Sequence, residues 1–333
     1  PSDIYFTAGG SESNNWAIKG IAEAYKSKGK HIITSKIEHH AVLHTCEYLE
    51  KQGYEVTYLD VNEEGVIDLD QLRQSIRSDT ILISVMAANN EIGTIQPLAE
   101  IGEIAKEHGV FFHTDAVQAF GHISLDVEEM KIDLLSASGH KIHGPKGIGF
   151  LYIRGKVKLS SLIHGGAQER GKRAGTHNVP GIVGFAAAAK KAERDREKVS
   201  GQLKKLRDYL IKRIEAEIPF SLLNGHRTDR LPNNVHFCFR FIEGESMLIL
   251  LDGAGICASS GSACTSGSLD PSHVLLAIGR PHEIAHGSLR VTLSEETTKE
   301  ELDYVVETLK KIIERLRNMS PLYEDYLKTS RKA

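Results

Sequence analysis

The chain has 333 residues, with 41 Lys+Arg against 44 Asp+Glu, 41% hydrophobic residues, 30 Gly and 9 Pro, a globular composition with room for about two domains at roughly 100 to 200 residues each. A net charge of −3 with no block of like charges argues against a nucleic-acid or anionic-membrane surface as main partner, and the composition excludes collagen, coiled coil and disorder. The longest apolar stretches, such as 184–189 and 247–251, fall far short of the roughly 18 to 20 residues that span a bilayer.

In chain order, β-branched runs at 31–35, 54–59, 81–85, 110–113 and 148–153 alternate with amphipathic segments at 12–28, 41–52, 68–77 and 97–108. Strand and helix at this spacing predict an α/β fold with a mostly parallel sheet flanked by helices, whose ligands collect at the carboxyl ends of the strands. Residues 179–217, rich in Ala, Lys, Glu, Arg and Leu, read as one or two long helices. Then come a strand at 234–241, a helix at 245–251, a Ser/Gly-rich loop at 258–268, a strand at 288–293 and a helix from about 298 to 317. The chain thus divides into a large domain, 1–192, and a smaller α+β domain, 193–333. The opening Pro1-Ser2-Asp3-Ile4-Tyr5-Phe6 has no basic or apolar signal region, so no secretory signal is read there, and it lacks a Met, which leaves open whether a segment precedes it.

Four cysteines, Cys46, Cys238, Cys257 and Cys264, none in a C-x-x-C pair, make no disulfide framework and point to a reducing cytoplasm, where the default for each is a small buried hydrophobe. Cys46, Cys238 and Cys257 read as structural. Cys264 alone lies in a polar, glycine-rich stretch, where a thiol is accessible as a nucleophile.

Ser138-Gly139-His140-Lys141 follows one apolar run and precedes another. A lysine there, hemmed in by Gly, Ser and His, suits a covalent imine, although a solvated loop lysine reads equally well. Asp115 closes a predicted buried strand, where a carboxylate could partner a pyridinium nitrogen; alternatively His113 and Asp115 could ligate a metal. Gly9-Gly10-Ser11 before a helix could cradle a phosphate or simply cap that helix. It matches neither G-x-G-x-x-G nor a P-loop, so a nicotinamide-dependent oxidoreductase is poorly supported. His39-His40 follows the 31–35 strand and could stack on a cofactor ring or be merely solvated. With no H-E-x-x-H and no zinc-type spacing among 16 His, a metal site is not expected.

Together these residues resemble the cysteine desulfurases of the NifS and IscS type, in the class V aminotransferase group of fold-type I pyridoxal-phosphate enzymes. Ser138-Gly139-His140-Lys141 with Gly144-Pro145-Lys146-Gly147 is similar to the family's Schiff-base signature, and Ser260-Gly261-Ser262-Ala263-Cys264-Thr265-Ser266 to its active-site cysteine loop. The resemblance implies a seven-stranded sheet and a pyridoxal 5'-phosphate cofactor. Lys141 would carry the Schiff base and move protons, Asp115 would pair with the ring nitrogen, Gln118 with the phenolic oxygen, and His39 would stack on the ring. Gly10, Ser11, Ser138 and His140 would hold the phosphate, with Thr176 completing the cradle of a partner subunit in a homodimer.

Asn90, beside the cofactor, and Arg290 would receive L-cysteine. Cys264 would take its sulfur as a persulfide, leaving L-alanine, and pass it to a sulfur acceptor or iron–sulfur scaffold protein. The family opens with an Asp-Asn-Ala-Ala-Thr-Thr-like stretch that this chain lacks at its start, and it often has Gly-Arg plus an aromatic where Ser294-Glu295-Glu296 stands. Two alternatives accompany the resemblance: a selenocysteine lyase-type enzyme of the same fold, and a catalytically silent scaffold homologue.

Overall fold

The computed structural model describes residues 1–261 and 271–330, and their contacts group into two compact units. The first comprises residues 1–62, 66–89 and 95–197; the second comprises 63–65, 90–94 and 198–333.

In the first unit the strands are β1 (Ile4–Thr7), β2 (His31–Ser35), β3 (Glu55–Leu59), β4 (Thr80–Ser84), β5 (Phe111–Asp115), β6 (Leu134–Ser138) and β7 (Gly149–Ile153). They form one sheet in the order β1-β7-β6-β5-β4-β2-β3. The pairs β2/β3, β2/β4, β4/β5 and β5/β6 are parallel, whereas β7 runs antiparallel to both β6 and β1. The reversal has a simple cause. The connection from β6 to β7 holds only a short 3₁₀ turn, Gly139–Ile142, and a parallel return needs a crossover of a dozen residues or more.

Helices α1 (Gly10–Ala24), α2 (His40–Glu50), α3 (Leu69–Ser75) and α4 (Leu98–Glu107) connect the parallel strands. β2, β4 and β6 are buried along their whole length, which is why they read as near-continuous apolar or small-residue runs. Trp16 of α1 is wholly buried, in one apolar cluster with Ile18, Ile21, Leu82, Leu134 and Leu151, and its indole nitrogen donates to the Ser160 carbonyl at 2.9 Å.

The 179–217 segment is one helix, α5 (Val179–Glu217), whose residues up to 197 belong to the first unit and whose later residues belong to the second. The second unit has a three-stranded sheet, β10-β9-β8, made of β8 (Ser221–Leu223), β9 (Asn234–Phe239) and β10 (Ser288–Thr292), all antiparallel. Around it lie α6 (Gly244–Gly253), α7 (His273–Ala277), α8 (His282–Ala285), α9 (Lys299–Asn318) and α10 (Pro321–Ser330). α9 opens with a reciprocal capping box between Thr298 and Glu301 and buries Leu302, Val306, Leu309 and Ile313 against Phe237 and Phe239 of β9 and Leu210 and Ile214 of α5, a stripe of helical period.

β8, α7, α8 and α10 do not announce themselves in the sequence. The predicted 234–241 strand ends at Phe239, and Phe241 turns to a left-handed φ of 69°. Cys46 and Cys238 are buried, as expected of structural thiols, but Cys257, expected to be structural too, is exposed in the coil after α6. The reason is local: Gly255, at φ 76°, follows the C-cap of α6, and in the coil beyond it Ile256 and Ala258 pack on the core while Cys257 between them is left exposed.

Candidate functional site

Parallel β2, β4, β5 and β6 deliver their carboxyl ends to one edge of the sheet. The two antiparallel pairings bring the end of β1 and the start of β7 to the same edge, with Gly149 opposite both Thr7 and Ser138. A Cβ on Gly149 would lie 2.5 Å from the Ala137 carbonyl and 2.7 Å from Gly9 Cα, so only glycine permits this approach. Gly9 has φ 153° and Gly10 leaves no room for a side chain, since its Cβ would stand 2.5 Å from Val117 Cγ2. The loop therefore presents bare backbone. Gly9 caps α1 without a side-chain acceptor, which leaves the positive end of the helix able to receive an anion.

Ala8, Gly9, Gly10, Ser11, Glu12, Ser138, His140, Lys146 and Gly147 line a concavity of about 630 Å³ at this point. Ser138 Oγ lies 2.8 Å from His140 Nδ1. Burial and the neighbouring Lys141 and Lys146 lower the His140 pKa. Lys141, exposed, follows on the 3₁₀ turn, and its carbonyl meets His122 Nε2 at 3.2 Å.

Asp115 ends β5, 5% exposed. Asn14 Nδ2 donates to its Oδ2 at 2.6 Å and the Val117 N–H to its Oδ1 at 2.9 Å. Burial raises its pKa; the Val117 bond, His39, the Asn14 bond and Lys141 oppose that rise. A carboxyl group driven toward its proton by burial, beside an Asn14 Oδ1 that is itself buried without a hydrogen-bond partner, is suited to a cationic N–H. An anion cradle, a lysine and an acid awaiting a buried N–H fit pyridoxal phosphate group by group.

His39 is half-buried at the N-cap of α2, where its Nδ1 accepts the Ala41 N–H at 3.1 Å. Beside it, buried Glu38 accepts from Ser35 Oγ at 2.6 Å and from the Met86 N–H at 2.9 Å through one oxygen; burial pushes its pKa up to about 8. Gln118 is half-buried in the turn after β5. Both ring nitrogens of His113 are engaged inside the sheet. Its ring nitrogens meet Ser84 Oγ at 2.8 Å and Ser136 Oγ at 2.9 Å, burial lowers its pKa to about 3, and among the described residues no cluster of three or more His, Cys, Asp or Glu could hold an ion.

Thr176 is exposed, on a segment tied down at several points. Arg173 grips Glu12 through two bonds, Nε to Oε1 at 2.8 Å and Nη2 to Oε2 at 3.0 Å, while Glu12 Oε2 also accepts the Ala8 N–H at 2.8 Å. Glu169 accepts from the Phe6 N–H at 3.1 Å and meets His177 Nε2 at 2.7 Å. One carboxylate, Glu12, thus braces both the glycine loop and the segment bearing Thr176. Just beyond, Val179 and Val183, one helical turn apart, are 59% and 63% exposed.

The second unit holds the remaining expected residues. Arg290 of β10 donates from Nη1 to the Asn90 carbonyl at 2.8 Å, and its backbone pairs with Ser259 in both directions. Cys264 lies outside the described residues.

Asn14, Glu12, Arg173 and Glu38 are the residues that sequence reasoning missed. Asn14 left a signal: it shares the buried face of α1 with Ala17, Ile18 and Ile21, and a polar residue in an apolar stripe is there for a partner. Glu12 and Arg173 carried none, because they pair with each other across 161 positions, and Glu38 carried little, because an acid three residues after a serine in a turn reads locally as solvated.

The aminotransferase class-V family model matches residues 1–305, and the chain belongs to that family. It is 62% identical over 321 residues to a protein of Methanosarcina thermophila described as cysteine desulfurase IscS, covering 96% of this chain and 79% of that one. A Clostridium botulinum protein of the same description is 59% identical, with 98% and 83% covered. A solved structure titled NifS-like protein superposes with a TM-score of 0.88 at 40% identity, covering 95% of this chain and 84% of that one.

Proposed function

We propose that the chain is a cysteine desulfurase that uses pyridoxal 5'-phosphate to convert L-cysteine to L-alanine and takes the sulfur as a persulfide on Cys264. Its main support within the molecule is the placement of Asp115 and Lys141 at the ends of adjacent parallel strands, with the glycine cradle beside them. Relatives at 62% and 59% identity that are described as cysteine desulfurases favour this activity over a selenocysteine lyase or a silent scaffold.

Gly10, Ser11, Ser138 and His140 would hold the phosphate. Asp115, kept in place by Asn14 and Val117, would hold the proton of the ring nitrogen; Gln118 would bond the phenolic oxygen and His39 would cover the ring. The bound cofactor supplies an electron sink that weakens the substrate's C–S bond. Lys141 would hold it and would carry a proton to and from the substrate carbon. Arg290 receives the substrate carboxylate through its two-pronged guanidinium, with Asn90 beside it. Cys264, as its thiolate, would attack the substrate sulfur: an S–S bond forms as the C–S bond breaks, its electron pair passes to the substrate carbon, and a proton added there completes L-alanine.

A homodimer in which Thr176 completes the partner's phosphate cradle is part of the same proposal, supported by the exposed apolar pair Val179 and Val183. So are a sulfur acceptor or iron–sulfur scaffold protein as recipient and a cytoplasmic location, in keeping with the buried thiols of Cys46 and Cys238. No helix among the described residues is long and apolar enough to cross a membrane.

The test is an assay of alanine and sulfide released from L-cysteine by the purified chain, with and without added pyridoxal phosphate. Cofactor-dependent release that Cys264→Ala abolishes is expected; full-rate release by that variant refutes the persulfide role.

A further inference from the structure

Glu38 takes no part in the chemistry above, yet it is wholly buried and stands immediately before His39 in the connection from β2 to α2. The strand ladder explains why a carboxyl group is there. Past the end of β4, the Val85 N–H donates to the His113 carbonyl at 3.1 Å and the Ala87 N–H to the Asp115 carbonyl at 2.9 Å. Residues 85 and 87 thus face β5, and the N–H of Met86 between them points the other way, toward β2. The last residues paired there are Thr34 and Ser84, and β2 stops at Ser35, so the ladder offers Met86 no acceptor. Glu38 Oε1 supplies one at 2.9 Å and accepts from Ser35 Oγ at 2.6 Å as well. Asn89, equally buried, ties the same two stretches a second time, its Nδ2 donating to the Ile37 carbonyl at 2.8 Å.

All of these residues lie in the first unit, and they link two residues already placed at the site. His39 Nδ1 accepts the Ala41 N–H, which fixes the imidazole to the first turn of α2, so the ring moves with the chain that Glu38 holds. From there one bond leads to Met86, and its neighbour Ala87 bonds the backbone of Asp115. The charges sense the same closeness: burial first, with the Asp115 charge adding to it, raises the Glu38 pKa to about 8. Near neutrality Glu38 therefore keeps its proton, and because Oε1 accepts from two donors that proton sits on Oε2.

We infer that Glu38 is a positioning residue, a strap that sets where the His39 ring stands relative to the Asp115 carboxyl group. Its bearing on a cofactor rests on the pyridoxal-phosphate reading, in which His39 and Asp115 meet one ring by its face and by its nitrogen; the strap itself does not rest on it. What the strap needs is an acceptor oxygen at Oε1, and no charge. Glutamine, which has the shape of the neutral acid, should replace Glu38, and leucine, of similar size but with no acceptor, should not.

The test has two readouts. In the protein without cofactor, amide hydrogen exchange in the peptide that contains Met86, followed by mass spectrometry, should run about tenfold faster in Glu38→Leu and at the parental rate in Glu38→Gln, as the loss of one buried acceptor implies. In titrations with pyridoxal phosphate, Glu38→Leu should bind about tenfold more weakly and change the circular dichroism of the bound cofactor, whereas Glu38→Gln should match the parent in both. Added to His39→Ala, the leucine should weaken binding by less than about twofold more, because the group through which it acts is already gone.

A leucine variant that exchanges and binds like the parent overturns the strap, as does a glutamine variant that falls as far as leucine. Losses that multiply in the double variant overturn the link to His39, since a merely structural defect would act independently of that ring. If Glu38→Leu does not fold, Ser35→Ala takes its place: it removes one of the two donors to Oε1, and about threefold weaker binding is expected, again absent in the His39→Ala background; parental binding by Ser35→Ala overturns the strap. A parent chain that binds no pyridoxal phosphate loses the cofactor reading, while the exchange rates still decide for or against the strap.

Discussion

In the first unit, Asp115, Ser138 and Lys141 stand at or just beyond the ends of strands buried along nearly their whole length, so the sheet's own ladder fixes their positions. In the second unit, Asn90 and Arg290 meet through one guanidinium bond to a carbonyl, in a stretch of chain secured by buried polar side chains, Arg230 and Asn234. A ladder distributes positional control over many backbone bonds. A polar network concentrates it in a few side chains, each of which leaves a buried group unsatisfied when removed. Substitutions near the first site should therefore damage chemistry before structure, and substitutions in the network of the second should damage both together.

Lys141→Ala offers the sharpest contrast. It should remove the cofactor's absorbance together with essentially all alanine formation, whereas Cys264→Ala should keep the absorbance and lose sulfide release; a visible spectrum and a sulfide assay read the two. Asp115→Asn comes next. An amide cannot hold the ring nitrogen's proton as a carboxylate does, so kcat should fall by about 10² or more with the fold intact by circular dichroism. Arg290→Lys should raise KM for L-cysteine about tenfold with a smaller change in kcat, the loss of a two-pronged grip, as steady-state kinetics would show.

Glu12→Gln, which weakens the Arg173 grip, should lower cofactor affinity a few-fold in a titration of the apoprotein. The smallest effect is one of stability. Glu38 has a folded pKa of about 8 against an ordinary 4.5, so between those values the folded state binds more protons than the unfolded one and stability falls as pH rises. Glu38→Gln keeps an oxygen for Ser35 and Met86. It should flatten that fall and raise Tm by several degrees at pH 8, with little change near pH 4.5.

The same contrast explains what the sequence made legible. Alternating strand and helix patterns located the sheet, and strand ends located Asp115, Ser138 and Lys141, because in a parallel sheet position along the chain maps directly onto one edge. The reversal at β7 was hidden, since a buried strand looks the same in either direction. Asn90 and Arg290 were visible only as motif matches: no local pattern tells that residues 90–94 leave the first unit, or that Arg290 pairs with a residue 200 positions earlier. Glu12 and Glu91 were invisible for a related reason. Their partners, Arg173 and Ser272, are 161 and 181 positions away, and an acidic residue with no partner in its own stretch of chain reads locally as solvated.

Residues 90–94 also constrain biosynthesis and dissection. The carbonyl of Ile92 accepts the buried guanidinium of Arg230, 138 positions later, and that of Asn90 waits for Arg290. During translation this short stretch emerges long before the groups that satisfy it, so the second unit cannot close until nearly the whole chain has been made. A fragment cut within α5 and carrying only residues from 198 onward would contain the sheet and α9 but not these acceptors, leaving the buried Arg230 with only His226 and Asn234 to bond. The boundary visible in space is therefore no place to divide the gene.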